Sequence, residues 1–399
     1  MTFEEKLKDV QRDLKEQDVQ GWLLYDFKRC NPLAYTFLDI PPGKMLTRRF
    51  FYWIPQEGKP IKIVSLVEPY VLDHLPGIKQ AYRGWQELEK ILFSLAVTKP
   101  KIAMEYSPYN ALPVLSRVDA GTVELMRKAG SEIVSSANLL QRYTSVWTEE
   151  QVKSHLEAAA VLEGIADQTW SLIESKLSSR ERINEYQVQQ FMLDLMKKKD
   201  CLTSDPPTCA VNEHSSDPHY SPSKEKAKEI RPGDFILLDL WCKRNQPRAV
   251  YADITRVGVA ASKATDKQKA IFHIVKEARD LATAFIKKHY EEGKSLQGWQ
   301  VDQACRDVIE GAGYGAYFIH RTGHNIGEDV HGPGANLDNL ETHDFRFLIP
   351  GTCFSVEPGI YLPGEFGVRM EYDVYLDPNG YIRITGGIQE ELVCLNRLA

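Results

Sequence analysis

Residues 250–257 read Val250-Tyr251-Ala252-Asp253-Ile254-Thr255-Arg256-Val257, an apolar run with a carboxylate near its centre. Short apolar runs of this kind, rich in β-branched residues, predict a strand. A buried isolated carboxylate costs several kcal/mol unless it is paired or binds a metal. Taken alone, Asp253 is explained more simply as an exposed position of an alternating strand, so its meaning depends on what surrounds it.

The same pattern occurs three more times in the second half of the chain. Asp239 lies within the apolar run 235–240, Glu357 ends the run 353–357, and Glu371 lies within 368–374. Four strand carboxylates in one domain need a common positive partner, and a pair of divalent cations would provide it. The combination therefore favours a metal site, although each carboxylate alone would not.

An imidazole ligand is available in the segment 320–331, which contains His320, His324 and His331 among glycines. Glycine allows a close approach of the backbone, as a compact site requires. A lone histidine would more simply be structural, but this cluster accompanies the four carboxylates. Oxygen-rich ligation with one imidazole suits Mn²⁺, and with less selectivity Co²⁺, Zn²⁺ or Fe²⁺.

The first 143 residues predict a small α/β domain. Strand-like runs at 21–25, 50–54, 61–67 and 101–105 are separated by segments with helical periodicity, such as 85–95. Strands that alternate with helices are typical of an α/β layer architecture.

A capping-box pattern marks the start of the second domain, where Thr148 is followed three residues later by Gln151. Further helices are expected from Asn184, from Thr265 to about residue 290, and over 301–310. Strands are expected over 235–242, 250–259, 352–357 and 368–376. We therefore predict an α+β chain with domains at 1–143 and 148–399.

Composition excludes several classes of protein. A hydrophobic content of 43% excludes a disordered chain, and a net charge of −6 argues against a nucleic-acid partner. Seven cysteines without a Cys-x-x-Cys pair argue against a thiolate zinc site or a redox motif. No stretch approaches the roughly 20 apolar residues of a membrane helix, so we expect a cytoplasmic protein without a membrane partner.

Five separated motifs resemble the M24 metallopeptidases. They are Asp239, Asp-Ile-Thr-Arg at 253–256, His-x-x-Gly-His-x-Ile-Gly at 320–327, Glu-Pro-Gly-Ile-Tyr at 357–361, and Arg-x-Glu at 369–371. That family of pita-bread-fold enzymes includes Xaa-Pro dipeptidase (prolidase), aminopeptidase P, methionine aminopeptidase and the metal-free creatinases. The resemblance implies a pita-bread catalytic domain over 148–399, preceded by a creatinase-like N-terminal domain.

The resemblance also implies a role for each residue of the site. All five metal ligands of the family are matched, by Asp239, Asp253, His324, Glu357 and Glu371. Glu357 would in addition carry a proton, and His219, His320 and His331 match histidines near the reaction. For His219 a turn residue, and for His320 a structural role, are the alternatives. Arg369 and Tyr361 match positions around the substrate.

The expected reaction is hydrolysis of a peptide with proline at its second position. Two metals about 3.5 Å apart share a water and lower its pKa, which yields a hydroxide that attacks the carbonyl before proline. We favour a dipeptidase, with an aminopeptidase for longer peptides as the alternative. A creatinase-like C–N hydrolase without metal, and a pita-bread binding module without activity, are more remote.

Two features stay open at this stage. Where the family commonly has a tyrosine three residues before the second metal aspartate, this chain has Val250, and Tyr251 is displaced by one position. Such a shift turns a strand side chain to the opposite face, unless a bulge re-aims it. The resemblance also implies a homodimer, in which Trp53, Arg48 and Arg49 are candidates for a loop that closes the neighbouring pocket or for a contact with a substrate carboxylate. Core packing of Trp53 and solvation of the arginines are the alternatives.

Overall fold

Short apolar runs that alternate with helices give the first part of the chain a six-stranded mixed sheet. The computed structural model describes residues 2–41, 43, 46–98 and 100–395. Within this range the chain divides into two units, one ending at Thr144 and one beginning at Ser145. The functional roles expected of domains 1–143 and 148–399 stay predictions.

The first unit has the expected α/β organisation. Its elements are α1 (Phe3–Glu16), β1 (Gly21–Asp26), α2 (Pro32–Phe37), β2 (Phe50–Pro55), β3 (Ile61–Ser65), β4 (Ile78–Tyr82), α3 (Trp85–Leu95), β5 (Lys101–Met104), α4 (Ala120–Lys128), β6 (Glu132–Ser135) and α5 (Ala137–Thr144). The strand order is β4-β3-β2-β1-β5-β6, with β1 antiparallel to β2 and parallel to β5. Every residue of β1 is buried, so this strand forms the centre of the sheet.

Trp53 belongs to the core of the first unit. Its side chain is 7% exposed and packs over Gly21, where a Cβ would lie 2.1 Å from the indole ring. Core packing therefore accounts for Trp53. Arg48 and Arg49, by contrast, line an open cleft of about 850 Å³ in the same unit.

The second unit combines long helices with short antiparallel strands. Its elements are α6 (Glu149–Ser178), α7 (Glu185–Lys198), β7 (Cys201–Leu202), β8 (Thr208–Val211), β9 (Phe235–Arg244), β10 (Ala252–Val259), α8 (Asp266–Glu291), α9 (Gly298–Gly311), β11 (Asn325–Ile326), β12 (Cys353–Val356), β13 (Gly359–Leu362), β14 (Phe366–Arg369), β15 (Tyr372–Asp377), β16 (Tyr381–Thr385) and β17 (Val393–Cys394). The strands form three sheets, β17-β10-β9-β7 with β8 on β9, β11-β12-β15-β16, and β13-β14.

Capping boxes begin α6, α7 and α8, as the sequence predicts. Thr148, Asn184 and Thr265 each accept a hydrogen bond from the backbone of a glutamine three residues later, and that glutamine bonds back to the cap. Reciprocal bonds of this kind satisfy donors that the first helical turn leaves unpaired. None of the helices in the described ranges is both long and apolar enough to cross a membrane.

The hairpin of β9 and β10 has one face for packing and one for chemistry. Leu238, Leu240 and Ile254 pack in the cluster formed with α6 and α7. Since strand side chains alternate between the faces, Asp239 and Asp253 project from the other side. Asp239 and Asp253 are 14 residues apart in the sequence, but the pairing of β9 with β10 brings them close together on this face.

The prediction of one continuous strand over 368–376 was wrong. The chain breaks at Met370 and Glu371, so that β14 pairs with β13 whereas β15 joins β12 and β16. The break occurs because the two halves belong to different sheets, and it places Glu371 between them. Helix α9 also begins at Gly298, three residues before the expected start.

Candidate metal centre

The five side chains expected to bind metal line one cavity of the second unit. This cavity has a volume of about 490 Å³, and its walls include Asp239, Asp253, His324, Glu357 and Glu371. Asp253, His324 and Glu371 offer ligand atoms that all lie within 4.8 Å of one another. The carboxylates and the imidazole thus converge although they come from distant parts of the sequence.

His324 is oriented as a neutral imidazole with a free lone pair toward the carboxylates. Its Nδ1 lies 3.2 Å from the backbone oxygen of Asn325 and therefore carries the proton. Its Nε2 lies 3.7 Å from Oδ2 of Asp253 and 3.4 Å from Oε1 of Glu357. Burial lowers the pKa of His324 well below its usual value. A lone pair that faces two carboxylates needs a cation between them, and a histidine whose other nitrogen donates to a backbone carbonyl is typical of metal sites.

Asp253 also fits a metal ligand. Its side chain is buried, and its Oδ1 has no hydrogen-bond partner among the described residues. Burial, followed by the charges of Glu371 and Asp239, raises the pKa of Asp253 well above its usual range. A buried carboxylate oxygen without a donor is costly, and a divalent ion would relieve that cost.

Thr255 connects two of the acids at the floor of the site. Its hydroxyl lies 2.6 Å from Oε2 of Glu371 and 3.0 Å from Oδ1 of Asp239. Asp239 is paired with Thr255 across the hairpin, which explains this contact. Burial, and then the charges of Glu357 and Asp239, raises the pKa of Glu371 well above its usual range.

Arg369 compensates part of the negative charge of the cluster. It forms a buried ion pair with Asp239, and its Nε lies 3.9 Å from Oε2 of Glu357. Glu357 also accepts a hydrogen bond of 3.0 Å from Ser355. Burial raises the pKa of Glu357 to about 7 although Arg369 opposes this shift. The positive charge of Arg369 is thus smaller than the negative charge that the four acids would carry when ionised. Bound divalent cations would balance the remainder.

Two of the expected histidines lie at the wall of the cavity. His219 and His331 both line it, and the ring of His331 is 4.2 Å from that of His324 between centroids. Partial burial of the ring, and then the charge of Arg321, lowers the pKa of His331 to about 4. Both imidazoles are therefore placed to contact a bound ligand.

His320 and Tyr361 form a separate network behind the metal ligands. Nε2 of His320 lies 2.7 Å from the hydroxyl of Tyr361, and Nδ1 lies 2.7 Å from the backbone oxygen of Arg321. Arg369 donates to the same hydroxyl at 3.2 Å. Burial and the charge of Arg369 lower the pKa of His320 to about 3. Through the hydroxyl of Tyr361, His320 thus supports Arg369, and it is not one of the side chains that line the cavity.

Tyr251 lies in a small core outside the walls of the cavity. It is 4% exposed, and it packs in a cluster with Trp147, Val250 and Ile326. Its ring lies 5.0 Å below the ammonium of Lys243. The displacement by one residue therefore leaves Tyr251 with a packing role in this structure.

Three further residues of the site have no role in the sequence-based prediction. Thr255 contacts two acids, and Trp241 lines the cavity opposite Asp253 in the hairpin register. Asp373 accepts a 2.9 Å hydrogen bond from the backbone of Asp253, and within the described ranges its other oxygen has no hydrogen-bond partner. Each of the three lies two residues from an expected metal ligand in the sequence. Because side chains two residues apart in a strand share a face, this spacing was the signal that could have placed them near the site.

The sequence profile of metallopeptidase family M24 matches residues 153–378, which is more than half of the chain. A putative dipeptidase of Bacillus subtilis is 30% identical over 305 residues, covering 75% of each chain. An Xaa-Pro dipeptidase of Lactobacillus helveticus is 34% identical over 161 residues, which cover 40% of this chain and 39% of that protein.

Solved structures share the fold over nearly the whole length. A prolidase of Thermococcus sibiricus superposes with a TM-score of 0.62 at 23% identity, covering 99% of both chains. A dipeptidase of Mycobacterium ulcerans superposes with a TM-score of 0.69 at 19% identity, covering 99% of this chain and 98% of its own. At these identities the likeness concerns the two-domain pita-bread fold alone.

Proposed function

Because the chain belongs to metallopeptidase family M24, we propose that it hydrolyses Xaa-Pro peptide bonds with the aid of two divalent ions. The observation that carries this proposal is the convergence of Asp253, His324 and Glu371, whose ligand atoms lie within 4.8 Å of one another in the cavity. The Xaa-Pro dipeptidase relatives support the choice of substrate.

Asp239, Asp253, His324, Glu357 and Glu371 would hold the two ions. When bound, the ions supply Lewis acidity and a water of lowered pKa. The carboxylates with unpaired or weakly paired oxygens, above all Asp253, support this assignment.

Glu357 is the candidate for proton transfer. Its carboxylate lines the cavity, and it is held by Ser355 on one side and by the neighbourhood of Arg369 on the other. From this position it would take a proton from the attacking water and deliver it to the proline nitrogen. A tertiary amide nitrogen must be protonated before it leaves, which requires a placed acid.

His331 and His219 are the candidates for contacts with the substrate. Both line the same cavity as the metal ligands, and His331 adjoins His324. A neutral imidazole with an N–H group directed at the scissile carbonyl would stabilise the oxyanion. Arg369, supported by Tyr361 and His320, would fix the position of Asp239.

The test is an assay of the chain with Ala-Pro, Ala-Pro-Ala and Ala-Ala after loading with Mn²⁺. We expect cleavage of Ala-Pro, slower cleavage of the tripeptide and none of Ala-Ala, with complete loss after chelation. Cleavage confined to the tripeptide would replace the dipeptidase with an aminopeptidase. Full activity after removal of metal would contradict the whole proposal.

Manganese and a homodimer are the finer parts of the proposal. Oxygen-rich ligation with one imidazole supports Mn²⁺ as the metal. The test is to reload the metal-free chain with Mn²⁺, Co²⁺, Zn²⁺ or Fe²⁺ and to measure the bound metal and the turnover of each form. Analytical ultracentrifugation of the loaded chain tests the dimer, and fractionation of source cells tests the cytoplasmic location. A monomer with full turnover would exclude the need for a dimer.

A further inference from the structure

Two cysteines that are 41 positions apart in the sequence meet on neighbouring strands. Strand β7 is antiparallel to β9, and Cys201 is paired with Arg244. Cys242 is two residues before Arg244, so its side chain is on the same face and diagonal to Cys201. The register therefore brings the two side chains together, and the Cys201 thiol itself donates to the backbone oxygen of Lys199 at 3.8 Å. The strand register thus places two thiols side by side, although the sequence has no Cys-x-x-Cys motif.

The surroundings of the two sulfurs differ. Nη1 of Arg244 lies 3.4 Å from Sγ of Cys201, and the same guanidinium contacts Glu157 through its Nε at 3.4 Å. Asp200 is the other charge beside Cys201 and opposes its ionisation. Cys201 is 7% exposed whereas Cys242 is fully buried. A small oxidant would therefore meet Cys201 first.

The hydrogen bond from Cys242 and the cation of Arg244 lower the pKa of Cys201 to about 7 in spite of burial. The same hydrogen bond, and then burial, raises the pKa of Cys242 well above its usual range. Thiolates are the reactive form of cysteine, and low-pKa thiols beside a second cysteine are typical of redox-sensitive sites. Cys201 thus has the character of an attacking thiol and Cys242 that of a resolving thiol.

We propose that Cys201 and Cys242 form a peroxide-sensitive modification site on the hairpin that holds the metal ligands. The Cys201 thiolate attacks one oxygen of hydrogen peroxide, the O–O bond breaks, and hydroxide leaves, so that Cys201 becomes a sulfenic acid. The sulfur of Cys242 then attacks that of Cys201, the S–O bond breaks, and water leaves with the proton of Cys242. The hydroxide takes up the proton that the Cys201 thiol released on ionisation and becomes a second water. In total, two thiols lose two electrons, one peroxide gains them, and two waters form.

Closure of the disulfide would act on the metal cavity through the chain. Diagonal strand neighbours lie farther apart than the roughly 4 Å between the Cβ atoms of a disulfide, so β7 must move toward β9. β7 is two residues long, and Asp205 and Pro206, which follow it, line the metal cavity. Cys242 is three residues after Asp239 on β9. Oxidation would therefore shift one wall of the cavity.

The test is treatment of the metal-loaded chain with one equivalent of hydrogen peroxide, alkylation of free thiols and peptide mapping. We expect a peptide that links Cys201 to Cys242 and is lost on treatment with dithiothreitol. Cys30 is an internal comparison, because the residue is exposed although partial burial of its thiol raises the pKa. We expect Cys201 to react about tenfold faster than Cys30 at pH 7, since thiolate content decides the rate.

Variants separate the two steps of the reaction. In Cys242→Ser, Cys201 should stop at a sulfenic acid that dimedone traps, and Arg244→Gln should slow this first step. Cys30→Ser is the matched control and should leave the linked peptide unchanged. Oxidation of Cys30 while Cys201 and Cys242 stay reduced would overturn the proposal, as would a sulfinic acid at Cys201 without any linked peptide.

Discussion

Thr255 follows Asp253 by two residues on β10, and its hydroxyl lies 2.6 Å from Oε2 of Glu371. It also lies 3.0 Å from Oδ1 of Asp239. A hydroxyl carries one proton and can donate it to only one of the two acids at a time. Thr255 therefore fixes the spacing of two acids without neutralising either, which is a suitable arrangement for holding metal ligands ready.

Replacement of Thr255 should weaken metal binding more than it weakens the fold. In Thr255→Val the shape is kept, but Glu371 and Asp239 lose the group that orients them. Loss of such supporting hydrogen bonds typically costs about 10–100-fold in metal affinity. We expect that loss for Mn²⁺ in isothermal titration calorimetry.

The matched control is Thr169→Val on helix α6. Thr169 is equally buried, but its hydroxyl donates to the backbone oxygen of Ile165 at 2.7 Å and so stays within its own helix. This variant should bind Mn²⁺ as the wild type does. Equal affinities of the wild type and Thr255→Val would show that the hydroxyl does not organise the ligands.

Asp253→Asn should have opposite effects with and without metal. In the metal-free chain Asp253 is a buried acid beside Glu371 and Asp239, and its Oδ1 has no hydrogen-bond partner in the described part of the chain. Asparagine removes this unfavourable group, so the free energy of unfolding should rise by about 1–4 kcal/mol. With Mn²⁺ the wild type should gain stability that the variant lacks. Chemical denaturation with chelator and with saturating Mn²⁺ measures both effects.

Asp205→Asn tests whether removal of any acid from the cavity has the same result. Asp205 lines the cavity but is exposed to solvent. Its replacement should leave the stability of the metal-free chain within about 0.5 kcal/mol of the wild type. A destabilised metal-free Asp253→Asn would contradict the assignment of Asp253 as a strained ligand.

The sequence contains enough information for the ligand set, but it lacks the network around it. Asp239 and Asp253 interrupt apolar strands, and burial of charge there is costly enough to indicate a site. Thr255 belongs to the Asp-Ile-Thr-Arg motif, but its contact with two acids leaves no local mark, because a threonine in a strand is ordinary. Its role depends on the register that sets it opposite Asp239, which is a long-range property.

The break between β14 and β15 could not be predicted from the sequence, because it too depends on pairing between distant segments. Apolar and polar residues alternate from 368 to 374 as in a single strand, and a change of sheet at Glu371 leaves no local mark. The supporting role of His320 was similarly open, because contact with Tyr361 requires two distant segments to meet. Local patterns thus predicted elements and ligands, whereas pairing between segments decided the rest.

Glu357 should make the stability of the metal-free chain depend on pH. The pKa of Glu357 is raised to about 7 in the folded chain, so the folded state binds this proton more tightly than the unfolded state. Stability from this group is therefore present at low pH and is lost as the pH rises from about 4.5 to about 7. The loss should reach up to about 3 kcal/mol.

Comparison with Glu357→Gln isolates this contribution, because the histidines that titrate in the same range are common to both proteins. The variant should gain stability relative to the wild type as the pH rises from about 4.5 to 7, with a constant difference above that. Urea denaturation in chelator across this range measures the difference. A difference that does not change with pH would show that Glu357 is ionised throughout.

Gly323, immediately before His324, should not tolerate a side chain. A Cβ at this position would lie 1.9 Å from the backbone oxygen of Ser355, which is itself hydrogen-bonded to the site through its hydroxyl. Gly323→Ala must push β12 away from the His324 segment, so we expect lower thermal stability together with weaker Mn²⁺ binding.

Gly164→Ala on helix α6 is the control, since its Cβ would meet no atom within 4 Å. That variant should be stabilised by about 0.5–1 kcal/mol through its better helix propensity, with unchanged metal affinity. Differential scanning fluorimetry and calorimetry give both quantities, and a Gly323→Ala chain with wild-type affinity would mean that His324 is not held by this close contact.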